Sequence, residues 1–147
     1  MLTNASDTDI AIPWLPTPRV RVLLAEDDAD VRQALSRLLR RDGYVVRTVN
    51  NGQALVNVLS PWILGESEPP ADLIVTDMRM PGFNGLSVVE GLRACGWWQP
   101  VLLISAFADE HVQQRISSMK DVAFLPKPFD DVDLENALSK LLAPELF

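Results

Sequence analysis

The feature that most limits the fold of this chain is an alternation, in which five short apolar runs are separated by stretches with a helical period. The runs cover residues 20–25, residues 44–49, Leu73–Asp77, Val101–Ser105 and Val122–Pro126. Each is too short for a helix and reads as a strand, β-branched over residues 44–49 and strongly apolar over Val101–Ser105. After the first run, Val31, Leu35, Leu38 and Leu39 recur at helical spacing, with Arg37, Arg40 and Arg41 opposite and Gly43 as the stop. Leu55, Val58 and Leu59 carry a second helix opened by Asn51-Gly52, and Leu86, Val89 and Leu92 a third. A more polar helix is expected over residues 109–119, and an amphipathic one with Leu134, Leu138, Leu141 and Leu142 over residues 130–142. Strict alternation calls for an α/β, doubly wound, five-stranded parallel sheet with right-handed crossovers and helices on both faces, in the flavodoxin-like order 2-1-3-4-5.

Such a sheet gathers its strand ends at one edge, where open α/β sheets bind ligands. Glu26, Asp27 and Asp28 close the first run, Asp77 the third, Ser105 the fourth, and Lys127 follows the fifth. Clustered carboxylates without His or Cys are hard oxygen ligands that suit Mg²⁺ and a phosphate partner. In that company Asp77 can act as a nucleophile toward a phosphoryl group, with Ser105 and Lys127 hydrogen-bonding the new oxygens. The plainer reading of Asp77 is a cap on the turn that Pro81 and Gly82 impose.

A chain of 147 residues suits one domain. The net charge of -7 and pI of about 4.6 leave no basic footprint for direct nucleic-acid binding. Cys95 is the one cysteine, so no intramolecular disulfide is expected, and no apolar run is long enough to cross a membrane, which makes the cytoplasm the default compartment. Residues 1–18, polar and then proline-punctuated, form an irregular N-terminal extension in which Trp14 is a candidate anchor onto the domain or a partner, and residues 19–147 form the folded unit. Pro61 is expected to end the second helix, leaving residues 60–71 as a long loop with Trp62, Ile63 and Leu64 docking on the core. Trp97 and Trp98 are expected to cover the edge of the fourth strand, Cys95 to pack as a small residue, and His111 to lie on a solvated helix face.

The motifs Leu24-Ala-Glu-Asp-Asp28, Thr76-Asp-Met-Arg-Met-Pro-Gly-Phe-Asn-Gly85, Ile104-Ser-Ala106 and Leu125-Pro-Lys-Pro-Phe129 stand in order across one domain. Together they resemble the response-regulator receiver domain of two-component signalling, over residues 19–142. The resemblance implies a phosphoacceptor at Asp77, and Mg²⁺ held directly by Asp27 and Asp77, through water by Glu26, and by the backbone carbonyl of Arg79. Asp27 with Asp28 is the alternative acidic pair. It also implies a switch hydroxyl at Ser105, a phosphate-binding Lys127, a cis peptide at Lys127–Pro128, and Asn84 and Gly85 at the turn into the third helix. The partners implied are a sensor histidine kinase or phosphotransfer protein as donor, and a downstream protein or output domain reached through helix 4, strand 5 and helix 5. Pairing of two phosphorylated copies is a further expectation.

Three positions depart from the family pattern or vary within it. Phe124 stands where a Tyr or other aromatic turns inward, so an aromatic switch here has no hydroxyl. Pro126 removes a backbone donor from the last strand. The usual Ala-Gly before that strand is replaced by Ser118-Met119-Lys120-Asp121. Two other classes stay in view: a degenerate receiver acting as a scaffold, which a missing acid, hydroxyl or lysine would favour, and a haloacid-dehalogenase-like phosphohydrolase, which wants a general-acid Asp where Arg79 stands.

Overall fold

The computed structural model describes residues 19–106 and 109–143, so the extension expected over residues 1–18 lies outside the described residues. The chain runs β1 (Arg21–Ala25), α1 (Ala29–Arg41), β2 (Val45–Val49), α2 (Gly52–Ile63), β3 (Leu73–Asp77), α3 (Gly85–Ala94), β4 (Val101–Ser105), α4 (Glu110–Ser117), β5 (Val122–Pro126) and α5 (Asp131–Leu142). These strands form one parallel sheet in the order β2-β1-β3-β4-β5, as the alternation requires. Between β3 and α3, Arg79–Met80 pairs antiparallel with Phe83–Asn84 across Pro81 and Gly82. Gly82 sits at φ 71, the left-handed position that a Pro-Gly turn assigns to its glycine.

β3 and β4 are buried along their whole length, which explains their unbroken apolar character. On one face Leu23, Ile74, Val101 and Leu103 meet Leu55 and Leu59 of α2, Val89 and Leu92 of α3, and Ile116 of α4. On the other, Val22, Leu24, Val75, Leu102 and Ile104 meet Leu35 and Leu39 of α1 and Leu134 and Leu138 of α5. The side chains alternate between these layers residue by residue, so the register of each strand decides which polar group reaches which side of the carboxyl edge.

Several local expectations change. Pro61 does not end α2, which continues to Ile63. Proline costs a helix one backbone donor, and here the carbonyl left without it belongs to Asn57, an exposed residue in the last turns, so the loss costs little. The loop after it is correspondingly shorter. Trp62 docks on the core edge-on to Trp97, ring centroids 5.9 Å apart, while Ile63 and Leu64 remain exposed. The tryptophan pair divides: Trp97 is fully buried in the α2/α3/α4 layer, and Trp98 is exposed with the Arg93 guanidinium 5.4 Å from its ring. Cys95 is an exposed C-cap of α3 instead of a packing residue.

The two departures around β5 have physical answers. Lys127 N–H donates to the Ser105 carbonyl at 2.9 Å, so the outward-pointing donors of this strand belong to the alternate residues, Pro126 among them. β5 is an edge strand, and the proline removes a donor that has no partner there. Where a glycine would be expected before β5, Asp121 takes the left-handed conformation at φ 59. Aspartate is one of the few other residues that visit this region. Its carbonyl accepts from Val101 N–H at 3.0 Å, and Arg93 donates to the carbonyls of Trp97, Lys120 and Asp121, tying the entrances of β4 and β5 together.

Candidate functional site

At the carboxyl edge, β1 and β3 deliver their acids to one point. Glu26 follows β1 directly, its N–H donating to the Val49 carbonyl of β2, and is buried; Asp77 ends β3 and is nearly so. Asp27 is exposed beside them, and carboxylate oxygens of Glu26, Asp27 and Asp77 all lie within 4.8 Å of one another. Three like charges at such spacing repel unless a cation joins them. Lys127 supplies one: its Nζ donates to Glu26 Oε1 and to Asp77 Oδ2, each at 2.9 Å.

The remaining contacts fix these groups. Arg79 N–H donates to Asp77 Oδ1 at 3.0 Å, and Asp28 N–H to Glu26 Oε2 at 3.2 Å. Burial lifts the Glu26 carboxyl above the usual carboxylate range, and the hydrogen bonds from Lys127 and from the Asp28 N–H offset that only in part. For Lys127, burial disfavours the charged form, but the hydrogen bonds to Asp77 and Glu26 outweigh it and hold the ammonium above the ordinary lysine value. We read the trio as two carboxylates sharing one ammonium.

Asp28 is turned away. Its Oδ1 accepts from Asp30 N–H at 2.9 Å and Val31 N–H at 3.1 Å, which makes it the N-cap of α1. Ser105 is buried at the end of β4, next to Ile104, the register partner of Asp77. Along β4 it shares its side with Val101 and Leu103, and Leu103 is the register partner of Phe124. Ser105 and half-buried Phe124 therefore face the same layer, the one that holds α4. Asn84 caps α3 through Leu86 and Ser87 N–H groups. Gly85 is held by close approach: a Cβ there would stand 3.1 Å from Met78 Cα and 3.2 Å from Leu103. The Lys127–Pro128 peptide is cis.

Arg32, the residue from which the acidic triplet takes its register in the sequence, makes a bond that the sequence does not show. Arg32 Nη1 donates to the Glu26 carbonyl at 2.9 Å and so holds the backbone that aims the acid. A clue was present, because a cation in the first turns of a helix opposes the macrodipole and needs another reason to be there.

With this geometry in hand, comparison with known proteins is decisive. Residues 22–139 match the response regulator receiver domain family, and the chain belongs to it. It is a phosphorylation-activated receiver of two-component signalling, a class that works with histidine kinases and output domains. Among curated relatives it is 32% identical over 139 residues to the transcriptional regulatory protein PdtaR of Mycobacterium tuberculosis, covering 94% of this chain and 61% of that one. It is 38% identical over 125 residues to the transcriptional regulatory protein TctD of Salmonella typhimurium, covering 84% and 52%. The chain thus spans only part of the length of these relatives. Among solved structures, the response regulator TrrA of Thermotoga maritima, in complex with Mg²⁺ and BeF, superposes with a TM-score of 0.66 at 26% identity, covering 84% of this chain and 99% of that one. Chemotaxis protein CheY4 of Vibrio cholerae shares the fold, with a TM-score of 0.71 at 24% identity over 85% of this chain and all of that one. The acidic cluster is compatible with Mg²⁺, and among the described residues no helix is long and apolar enough to cross a membrane.

Proposed function

We propose that Asp77 is the phosphoacceptor, that Lys127 and Ser105 hold the phosphoryl oxygens once they arrive, and that Asp27, Asp77 and the Arg79 carbonyl hold Mg²⁺ with Glu26 completing the set. The observation that carries this reading is the convergence of Glu26, Asp27 and Asp77 within 4.8 Å, bridged by Lys127 at 2.9 Å, at the carboxyl edge of the sheet. All three are hard oxygen donors, which fits Mg²⁺; bound there, the ion supplies positive charge for the carboxylates and phosphoryl oxygens.

The chain's own groups do the rest. A carboxylate oxygen of Asp77 forms a bond to phosphorus as the bond from phosphorus to the donor's nitrogen breaks, and the imidazole leaves with that electron pair. Lys127 is already placed beside Asp77 Oδ2 and remains to hydrogen-bond the transferred group. Asp28 is a cap in this reading, since its carboxylate oxygen already serves two backbone donors. The donor is a histidine kinase or phosphotransfer protein, and a cytoplasmic location goes with that partner.

The signal leaves through α4, β5 and α5. Ser105 drawn toward the new oxygens vacates space on the α4 side of the sheet, and Phe124 turns further into it. Phosphorylation favours that state only by as much as it binds it better. The same face serves a downstream partner or a second phosphorylated copy. Incubation with acetyl phosphate and Mg²⁺, followed by mass spectrometry, should add one phosphoryl group at Asp77, and none in Asp77→Asn. Label that persists in the variant, or never appears in the parent, would overturn the assignment.

A further inference from the structure

Although the chain carries a net charge of -7, a basic recess of about 350 Å³ lies between α1 and β2. Its lining is Arg32, Gln33, Ser36, Arg37 and Arg40 from α1 and Thr48 from β2. The helical positions are spaced as one continuous strip along α1. Thr48 shares its side of β2 with Val46, which packs in the layer of α1, so strip and strand face each other. No acid lines the recess.

The positive charge here is fixed in place and left unspent. Arg32 Nη1 donates to the Glu26 carbonyl at 2.9 Å, and Arg40 Nη2 donates to the Val46 carbonyl at 3.1 Å. A backbone carbonyl holds a guanidinium without neutralising it, so both arms are oriented before any ligand arrives. Among the described residues the ion pairs engage Arg21, Arg41, Arg115 and Lys127, so Arg32, Arg37 and Arg40 face no carboxylate partner.

Ser36 points to a ligand independently of charge. It is only 7% exposed and lines the recess, yet its hydroxyl has no hydrogen-bond partner among the described residues. Ser60, by contrast, returns its hydroxyl to the Val56 carbonyl one turn earlier, the usual resort of a helical serine. A buried hydroxyl without a partner is costly, and a ligand oxygen removes that cost.

Guanidinium forks, hydroxyls and an amide, with no acid among them, suit an oxyanion, and arginine grips phosphate oxygens two at a time. Arg32 and Arg40 stand about 12 Å apart along the helix axis at roughly 1.5 Å per residue, a span that suits linked phosphates better than a single one. The volume falls at the small end of ligand clefts, which run from roughly 300 to 1,000 Å³. We infer that the α1/β2 recess binds a small molecule carrying two or more linked phosphates, gripped by Arg32, Arg37 and Arg40, with the Ser36 hydroxyl donating to a phosphate oxygen. The inference does not depend on the role of Asp77.

The test uses the full chain in buffer free of divalent ions, so that the acidic cluster holds no cation to attract the probe. Calorimetric titration with pyrophosphate at constant ionic strength should show saturable binding, with amide resonances shifting over residues 32–40 and 47–49. Arg37→Ala, at an exposed position, should weaken pyrophosphate about tenfold and Ser36→Ala about threefold. Lys140→Ala removes one positive charge from α5 and should leave the affinity unchanged. Orthophosphate should bind more weakly than pyrophosphate. ADP distinguishes the sources: binding tighter than pyrophosphate identifies a nucleotide, equal or weaker binding a free polyphosphate, and either supports the site. Absence of saturable binding, orthophosphate binding as tightly as pyrophosphate, or equal weakening by Arg37→Ala and Lys140→Ala would overturn the inference. Hexaglutamate binding as tightly as pyrophosphate would also overturn it, by making an acidic protein segment the occupant.

Discussion

Asp28 commits its carboxylate to the first turn of α1, whereas Asp27, one residue earlier, keeps its own free to join Glu26 and Asp77. Substitution should separate the two duties. Asp28→Ala should cost about 1 kcal/mol of stability, the usual worth of an N-cap, and leave Mg²⁺ affinity nearly unchanged. Asp27→Asn should do the reverse, weakening Mg²⁺ with little effect on the denaturation midpoint; titration calorimetry and urea unfolding on each variant decide it. Residue chemistry also sets one pH dependence. Burial pushes the Asp72 carboxyl up, but the side-chain and backbone hydrogen bonds from Arg21 win and hold it below the ordinary range. A depressed acid contributes stability above its unfolded pKa of about 3.9 and loses it as pH falls through the lower folded value. Asp72→Asn should therefore narrow its stability gap to the parent below about pH 4, by a modest amount because the pair is exposed.

At the scale of elements, the reading from sequence succeeded where one pattern had one physical solution. β3 and β4, continuous apolar runs of strand length, could only be buried strands, and the acids beyond β1 and β3 then had to meet. It failed where a local rule met an unseen tertiary context. Pro61 looked like a stop because the exposure of the Asn57 carbonyl is not written in the sequence. Trp97 and Trp98 looked like a pair because nothing local says that one enters the core. Cys95 looked like a packing residue because its place near the end of α3 does not say which way the cap faces. The sequence favoured Glu26 over Asp28 as the acid paired with Asp27, but the capping duty of Asp28 needed coordinates, since it depends on where α1 begins.

Asp121 occupies φ 59, a conformation that costs most L-residues about 1–2 kcal/mol and aspartate less, so Asp121→Gly should raise stability by up to about 1 kcal/mol while Asp121→Val lowers it. Denaturant midpoints measure both. If Ser105 and Phe124 are coupled through their shared layer, beryllofluoride should shift amide resonances from β4 through β5 in the parent. Ser105→Ala should confine the shifts to the loops around Asp77. Equal propagation in the variant would break the link between hydroxyl and aromatic ring.

The whole molecule places every group of the site at the ends of strands or in the turns just beyond them, while the helices serve as the walls that bury those strands. Glu26, Asp77 and Ser105 each stand where a buried strand meets the edge, so the acidic cluster is positioned by the sheet itself. The sheet's two outer strands have a different consequence. β5 offers the solvent a margin from which Pro126 has removed a donor, and that margin is a poor template for another chain. β2 is guarded only in part among the described residues: Arg40 donates to the Val46 carbonyl at 3.1 Å, while Val45 is exposed beside it and Arg47 is the charge within the strand. Self-association at high concentration should therefore start from the β2 side, with Arg47 as the gatekeeper, and any engineering that makes this strand more apolar trades solubility for β-propensity.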